Sequence, residues 1–363
     1  MKRLWCFGLI AALSLCGWAA KPVSEQVLLY PSVDQFGQTI TLSGKVSIPR
    51  NRTAKGIILV THYTIYSLEE APSVAKVAKG IESKMFYKDY ILVIPDYQGY
   101  GISKDSVPPY LCGELTARQC VDMYLAAQKM LDSLNVGINT DSLYVVGFSQ
   151  GGATALWTLR LLEEQYAGQL FVKACYAGSG PYDVAATYDY AVQHNDAGFP
   201  ATIPMLVMGT STGYDLHLTT DSFYTAELDK IYNAYIAPKK LGLLAILLKM
   251  PYGHLHYWLT DAGMDKSRPE SQRLYEGLLR SSLVHYPMDD HPIGQNIICP
   301  QWKPTTPTYV FHSTQDDIVN FCNAEHLKRC WLDAPNVTFD YGQYGNHLRS
   351  SHLFFKIVRK QLP

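Results

Sequence analysis

The sequence predicts an α/β fold, a mostly parallel central sheet flanked by helices, with a helical cap inserted between core strands. Three observations carry that expectation. Short apolar runs at 56–61, 90–95, 142–147, 171–177 and 308–312 alternate with helix-forming stretches at 72–84, 114–134 and 151–165. The central runs are apolar on both faces, which suits strands of a parallel sheet covered by helices on either side. Between about 182 and 300 the alternation stops, and helical stretches follow one another without buried strands. An insertion of that length is not a plain loop.

Taken in order, Lys2 and Arg3 precede an apolar run over 4–15, closed by the small residues Gly17, Ala19 and Ala20. This reads as an export signal ending at residue 19, too short to span a bilayer. Leu13, Ser14, Leu15 and Cys16 also form a rough lipobox, although Leu15 stands where a small residue is preferred. The chain is therefore expected to be secreted or periplasmic, with a lipoprotein anchored through Cys16 as the alternative. Residues 26–30 and 38–48 read as strands, β-branched, alternating, and punctuated by Pro31, Gly37 and Pro49. The first part of the core runs over 20–181. The cap covers 182–300, with helices at 183–193, 222–236, 241–250 and 269–284. The core resumes over 301–363 with a strand at 308–312, a helix at 323–330, a strand at 336–340 and a terminal helix. Such alternation implies right-handed crossovers.

Of the 363 residues, 47% are hydrophobic and 17% charged, enough to bury a large core and against long disorder. The net charge of -1, without charge blocks, leaves no electrostatic footprint for nucleic acid. Cys6 and Cys16 lie in the export segment; Cys112, Cys120, Cys175, Cys299, Cys322 and Cys330 remain. An oxidising compartment permits disulfides without fixing their pairing. Cys175, in an apolar strand, reads as a buried free thiol. No CxxC spacing suggests zinc or redox chemistry, and nothing completes a metal site around His254 and His256. No metal and no cofactor are expected.

The stretch SLYVVGFSQGGA at 142–153 holds the chemistry. Its Gly147-x-Ser149-x-Gly151 pattern is weak alone. An apolar strand running into it and a small-residue helix leaving it make it a strand-turn-helix that presents a serine hydroxyl. Side chains at Gly147 and Gly151 would collide with the neighbouring strand or helix. A serine hydroxyl needs a histidine to take its proton and a carboxylate to orient that histidine. In this arrangement the chain order is serine, acid, histidine. After the strand TYVFH at 308–312 comes STQDDIV at 313–319, where Asp316 fits the acid best and Asp317 is the alternative. After the last strand, the glycine-rich YGQYGNH at 341–347 carries His347 on a loop, while His352 falls one turn into the final helix. Oxyanion donors are expected from the backbone amide of Gln150 and from that of Tyr63 or Thr64, in the loop HYTI after the strand at 56–61.

With these motifs, IPDYQGYG at 94–101, PYL at 109–111, AGSGPYD at 177–183 and FCNA at 321–324 resemble signature stretches of the α/β-hydrolases similar to secreted lipases. The likeness runs from about residue 59 to 353. It implies an α/β-hydrolase fold and a capped carboxylic-ester hydrolase needing no cofactor, without settling the substrate; the expected partner is a small-molecule or lipid-like ester. That group often has His-Gly where this chain has His62 and Tyr63. Peptide hydrolysis on the same triad, or removal of acetyl or feruloyl groups from carbohydrate, is the alternative chemistry. A non-catalytic binding protein on a hydrolase scaffold is a remote third. The stretch 241–250 is apolar nearly all round; it could line an acyl pocket, meet a membrane surface, or be a buried cap helix.

Overall fold

All five of the apolar runs that define the rhythm join one sheet. The computed structural model describes residues 23–50, 53–134, 136, 142–287 and 297–363. The expected export segment, with Cys6 and Cys16, lies outside them. The strands are β1 (Val23–Val33), β2 (Thr39–Pro49), β3 (Ile57–Thr61), β4 (Ile91–Pro95), β5 (Leu143–Phe148), β6 (Val172–Gly178), β7 (Thr308–Ser313) and β8 (Val337–Gly342). They form an 8-stranded sheet in the order β1-β2-β4-β3-β5-β6-β7-β8. The β1–β2 and β2–β4 pairs are antiparallel and all other pairs parallel.

The helices are α1 (Gly113–Ser133), α2 (Gln150–Gln165), α3 (Val184–His194), α4 (Thr202–Gly213), α5 (Thr220–Phe223), α6 (Ala226–Ile231), α7 (Leu243–Lys249), α8 (Asp261–Met264), α9 (Pro269–Ser281), α10 (Cys322–Cys330) and α11 (His347–Gln361). The two-residue period of the strands splits their side chains between two cores. Leu59, Val93, Val145, Cys175 and Val310 pack with Val121, Leu156 and Leu159 of α1 and α2. Their neighbours Ile58, Leu92, Val146, Tyr176 and Phe311 pack on the other face with Phe354, Phe355 and Val358 of α11. Each such fully buried side chain stabilises by about 1.5–3 kcal/mol.

Between β6 and β7 the chain builds α3 to α9, with a third core that includes Phe223, Leu228, Ile246, Trp258, Leu274 and Leu278. Three expectations for local structure need correction. The stretch 72–84 is not a continuous helix; it holds one 3-10 turn, Val77–Lys79. Tertiary partners take its backbone groups, since Asp96 Oδ1 accepts from Ser73 N–H at 2.7 Å and Lys45 Nζ donates to Ala75 C=O at 2.5 Å. The expected helix at 222–236 breaks where Tyr224 pairs with Leu259, and Thr225 caps a new start at α6. Helix α4 was not expected, because Pro204, Gly209 and several threonines mask a segment that folds by burial rather than by propensity. The described disulfide joins Cys299 to Cys330, while Cys112, Cys120 and Cys175 are free and buried.

Parallel pairing brings the carboxyl ends of β3, β5, β6, β7 and β8 to one edge, through the registers Thr61–Gly147, Phe148–Gly178, Gly178–Phe311 and Ser313–Gly342. Loops leaving that edge carry the candidate site.

Candidate active site

Strand β5 ends at Phe148 and α2 begins at Gln150, so one residue turns the corner. Ser149 takes φ 61° and ψ -127°, a left-handed backbone that costs a non-glycine residue about 1–3 kcal/mol. Neighbours hold it there: Ser149 N–H donates to Gly178 C=O at 2.8 Å, and Ser149 C=O accepts from Gly152 N–H at 2.8 Å. The flanking glycines are required by close approach. A Cβ on Gly147 would lie 2.1 Å from the Gly151 carbonyl oxygen, and one on Gly151 would lie 1.9 Å from that of Thr61.

His347 Nδ1 donates to Asp316 Oδ2 at 2.7 Å. A carboxylate can only accept, so this contact places the imidazole proton on Nδ1 and leaves Nε2 with a free lone pair. Asp316 is buried, and its Oδ1 accepts the N–H groups of Ile318 and Val319 at 3.0 and 2.8 Å. Burial pushes its pKa up, but the His347 hydrogen bond, the electrostatic pull of the His347 and His312 rings and the Val319 amide outweigh that, so the carboxyl stays below its ordinary range. His312 sits beneath, its Nε2 3.0 Å from Val319 C=O and 3.7 Å from Asp316 Oδ2. Asp317 has another role, accepting the backbone N–H of His347 at 3.0 Å. His347 is not on a loop as expected but is the first residue of α11, whose N-cap is Asn346. Its ring lies 4.9 Å from that of Phe148, the residue before the serine.

Ser149, Gln150, Tyr63, Thr64 and His347 line one cavity of about 440 Å³. Its walls are largely apolar and come from both layers, with Val184, Phe199, Leu206, Leu243 and Leu247 from the insertion and Phe355 from α11. His352 also borders it, exposed on α11.

Gln150 opens α2, so its N–H has no acceptor within the helix. Of the two candidates after β3, Tyr63 is corrected: its N–H donates to Glu82 Oε1 at 2.6 Å and is committed elsewhere. Thr64 remains, its hydroxyl 2.8 Å from that of Tyr110. Sequence reasoning missed Glu82, and it singled out Tyr110 only within the stretch PYL at 109–111, without placing it at this loop. It also missed a buried cluster where the insertion joins the core. Asp183 accepts from His285 Nδ1 at 2.8 Å, His326 Nδ1 at 2.7 Å and the N–H groups of Ala186 and Tyr286 at 2.9 Å each. His254 and His256 are exposed with rings 5.8 Å apart, and among the described residues no group of three or more His, Cys, Asp or Glu could hold a metal ion.

The family model described as secretory lipase matches residues 78–355, most of the chain. The chain belongs to that family. Among its curated relatives, a secreted triacylglycerol lipase of Malassezia furfur is 26% identical over 252 residues, covering 69% of this chain and 58% of the relative. Another, from Malassezia restricta, is 23% identical, covering 71% of this chain and 49% of the relative. The chain thus spans about half the length of the curated relatives it matches. The rice cell wall degrading esterase LipA of Xanthomonas oryzae superposes with TM-score 0.76 at 20% identity, covering 94% of this chain and 90% of that one. Lipase A of Candida antarctica, closed state, gives TM-score 0.65 at 17% identity, covering 90% and 74%. These likenesses show the α/β-hydrolase fold in this member of the secretory lipase family.

Proposed function

We propose that the protein is an exported serine hydrolase of carboxylic esters, acting through Ser149, His347 and Asp316. The observation that carries this reading is the 2.7 Å hydrogen bond from His347 to Asp316, in a cavity shared with a serine on a strained strand-to-helix turn. His347 Nε2 takes the Ser149 proton as Oγ attacks the ester carbonyl carbon. Asp316 holds the ring and stabilises the imidazolium. The amides of Gln150 and Thr64 donate to the oxyanion of the tetrahedral intermediate. As that intermediate collapses, the C–O bond to the alcohol breaks and His347 protonates the departing oxygen. Water, deprotonated by the same imidazole, then attacks the acyl-enzyme; the acid leaves and Ser149 recovers its proton.

Segment 182–300 acts as the cap. The apolar cavity beneath it suits an acyl chain, so the substrate is a lipid-like ester. Leu244, Leu248 and Leu348 are 77%, 83% and 59% exposed, and Leu244 and Leu348 also line the cavity. This apolar rim supports work at a lipid surface. Export rests on the pattern of residues 1–19 and on the family's secretory character. A second reading, hydrolysis of esters on carbohydrate, is favoured by a smaller chamber of about 130 Å³ beside the main cavity, bordered by Asp196, Asp317 and Asn320.

The test is hydrolysis of esters graded from acetate to dodecanoate, alongside sugar-linked acetates and ferulates. Rates rising to octanoate or beyond, abolished in Ser149→Ala, are expected. Full activity in Ser149→Ala would overturn the catalytic assignment. Turnover that peaks at acetate and collapses by octanoate would overturn the lipid-like substrate and favour the carbohydrate reading.

A further inference from the structure

The segment 62–65 forms a wall between two hollows. On one side is the catalytic cavity. On the other is a crevice of about 380 Å³ bordered by Glu69, Glu70, Lys76, Lys79 and Glu82. Tyr63 borders both. The direction of the Thr64 N–H depends on the two peptide planes before it, and each has its own fastening. The plane joining His62 to Tyr63 is held by the Tyr63 N–H, which donates to Glu82 Oε1 at 2.6 Å. The plane joining Tyr63 to Thr64 is held by its carbonyl, which accepts from His62 Nδ1 at 2.6 Å. In a trans peptide the C=O and N–H point opposite ways. Anchoring the Tyr63 carbonyl therefore aims the Thr64 N–H away from His62.

Both anchors are built to stay put. His62 is buried and stacked on Tyr97 with ring centroids 3.9 Å apart. Burial lowers its pKa, against the pull of the Tyr63 and Asp96 carbonyls, so the ring is neutral and its one proton goes to the shorter contact. Glu82 is 5% exposed. Burial holds its carboxyl well above the usual range, the Tyr63 amide opposing this only in part. The raised pKa favours the uncharged acid, which accepts the amide without setting a formal negative charge behind a site that must receive an oxyanion.

We propose that Glu82 is a positioning residue for ester hydrolysis, holding segment 62–65 through the Tyr63 N–H so that the Thr64 N–H meets the oxyanion. This rests on the catalytic reading above, with Ser149 as nucleophile. Removing one oxyanion donor outright costs about 10²–10³ in kcat, and tilting one costs less. The experiment compares the purified full chain with Glu82→Gln, Glu82→Leu, Glu82→Ala and Ser149→Ala on p-nitrophenyl octanoate, with melting curves to select folded variants. Glutamine is uncharged, nearly the same shape, and offers the same acceptor oxygen.

Expected are a fall in kcat of about 10–100-fold in Glu82→Leu and Glu82→Ala with KM within about twofold, and rescue in Glu82→Gln to within about threefold of the parent. A merely structural role would lower the melting midpoint and leave the kcat of the folded fraction unchanged, which overturns the proposal. So would a change confined to KM, or a loss in Glu82→Gln as deep as in Glu82→Leu. Activity surviving in Ser149→Ala would remove the catalytic reading itself. An inactive Ser149→Ala beside fully active Glu82→Leu and Glu82→Ala would remove only the role of Glu82.

Discussion

Replacing Asp316 with asparagine tests the proton arrangement of the site with minimal change of shape. Asp316 Oδ1 accepts two backbone N–H groups, from Ile318 and Val319, so the asparagine oxygen keeps that place. The amide nitrogen then faces His347 Nδ1, where the carboxylate oxygen sat at 2.7 Å. Two donors cannot bond, so the imidazole moves its proton to Nε2, the nitrogen that receives the Ser149 proton in the proposed mechanism. The wrong tautomer of a catalytic histidine lowers kcat about 10⁴-fold, equivalent to about 5.4 kcal/mol of transition-state stabilisation. The assay is steady-state hydrolysis of p-nitrophenyl octanoate at neutral pH, with Ser149→Ala as the floor and urea unfolding to confirm an intact fold. Asp317→Asn is the matched control. Among the described residues its carboxylate hydrogen-bonds to the backbone N–H of His347, so kcat should stay within about threefold. If Asp316→Asn lost less than about tenfold, or Asp317→Asn lost as much, the assignment of the acid would be refuted.

Asp183→Ala should destabilise the chain by about 3–5 kcal/mol in urea unfolding, because it strands two buried imidazoles and two amides at the junction of insertion and core. Burial raises the Asp183 pKa, but the His285 and His326 hydrogen bonds more than reverse this, so it lies below its unfolded value. A depressed carboxylate contributes stability that is complete above the unfolded pKa and lost as pH falls through the folded one. The gap between parent and Asp183→Ala should therefore be full at pH 5 and narrow toward pH 3; a gap widening over that range would contradict the linkage. Gly151→Ala puts a Cβ 1.9 Å from the Thr61 carbonyl oxygen, and overpacking against backbone should cost about 3 kcal/mol in the same assay. A neutral effect would mean the turn can relax.

Much of the frame was legible because it rests on short-range pattern. Strands β3, β4 and β5 are buried on both faces at every residue, and that demand is written in unbroken apolar runs. The Gly147-x-Ser149-x-Gly151 turn was equally visible, since its glycines answer local crowding. Legibility failed where long-range partners overruled propensity. Segment 72–84 has helix-forming composition, yet Asp96 and Lys45 take its backbone groups. Helix α4 has poor helix formers, yet its buried Ile203 and Val207 pack in the core of the insertion.

The sequence by itself determined the layer order, the serine on its bend, and a small set of acids and histidines that could serve it. Choosing among them belonged to the tertiary structure. Asp316 and Asp317 are adjacent in the chain, but only one turns its carboxylate to the imidazole while the other meets a backbone amide. Tyr63 and Thr64 are likewise adjacent, and a carboxyl from a distant turn takes the first amide and leaves the second. Neighbouring residues share composition and pattern; what separates them is the direction of a bond in space, and that is set by partners brought together only when the sheet closes.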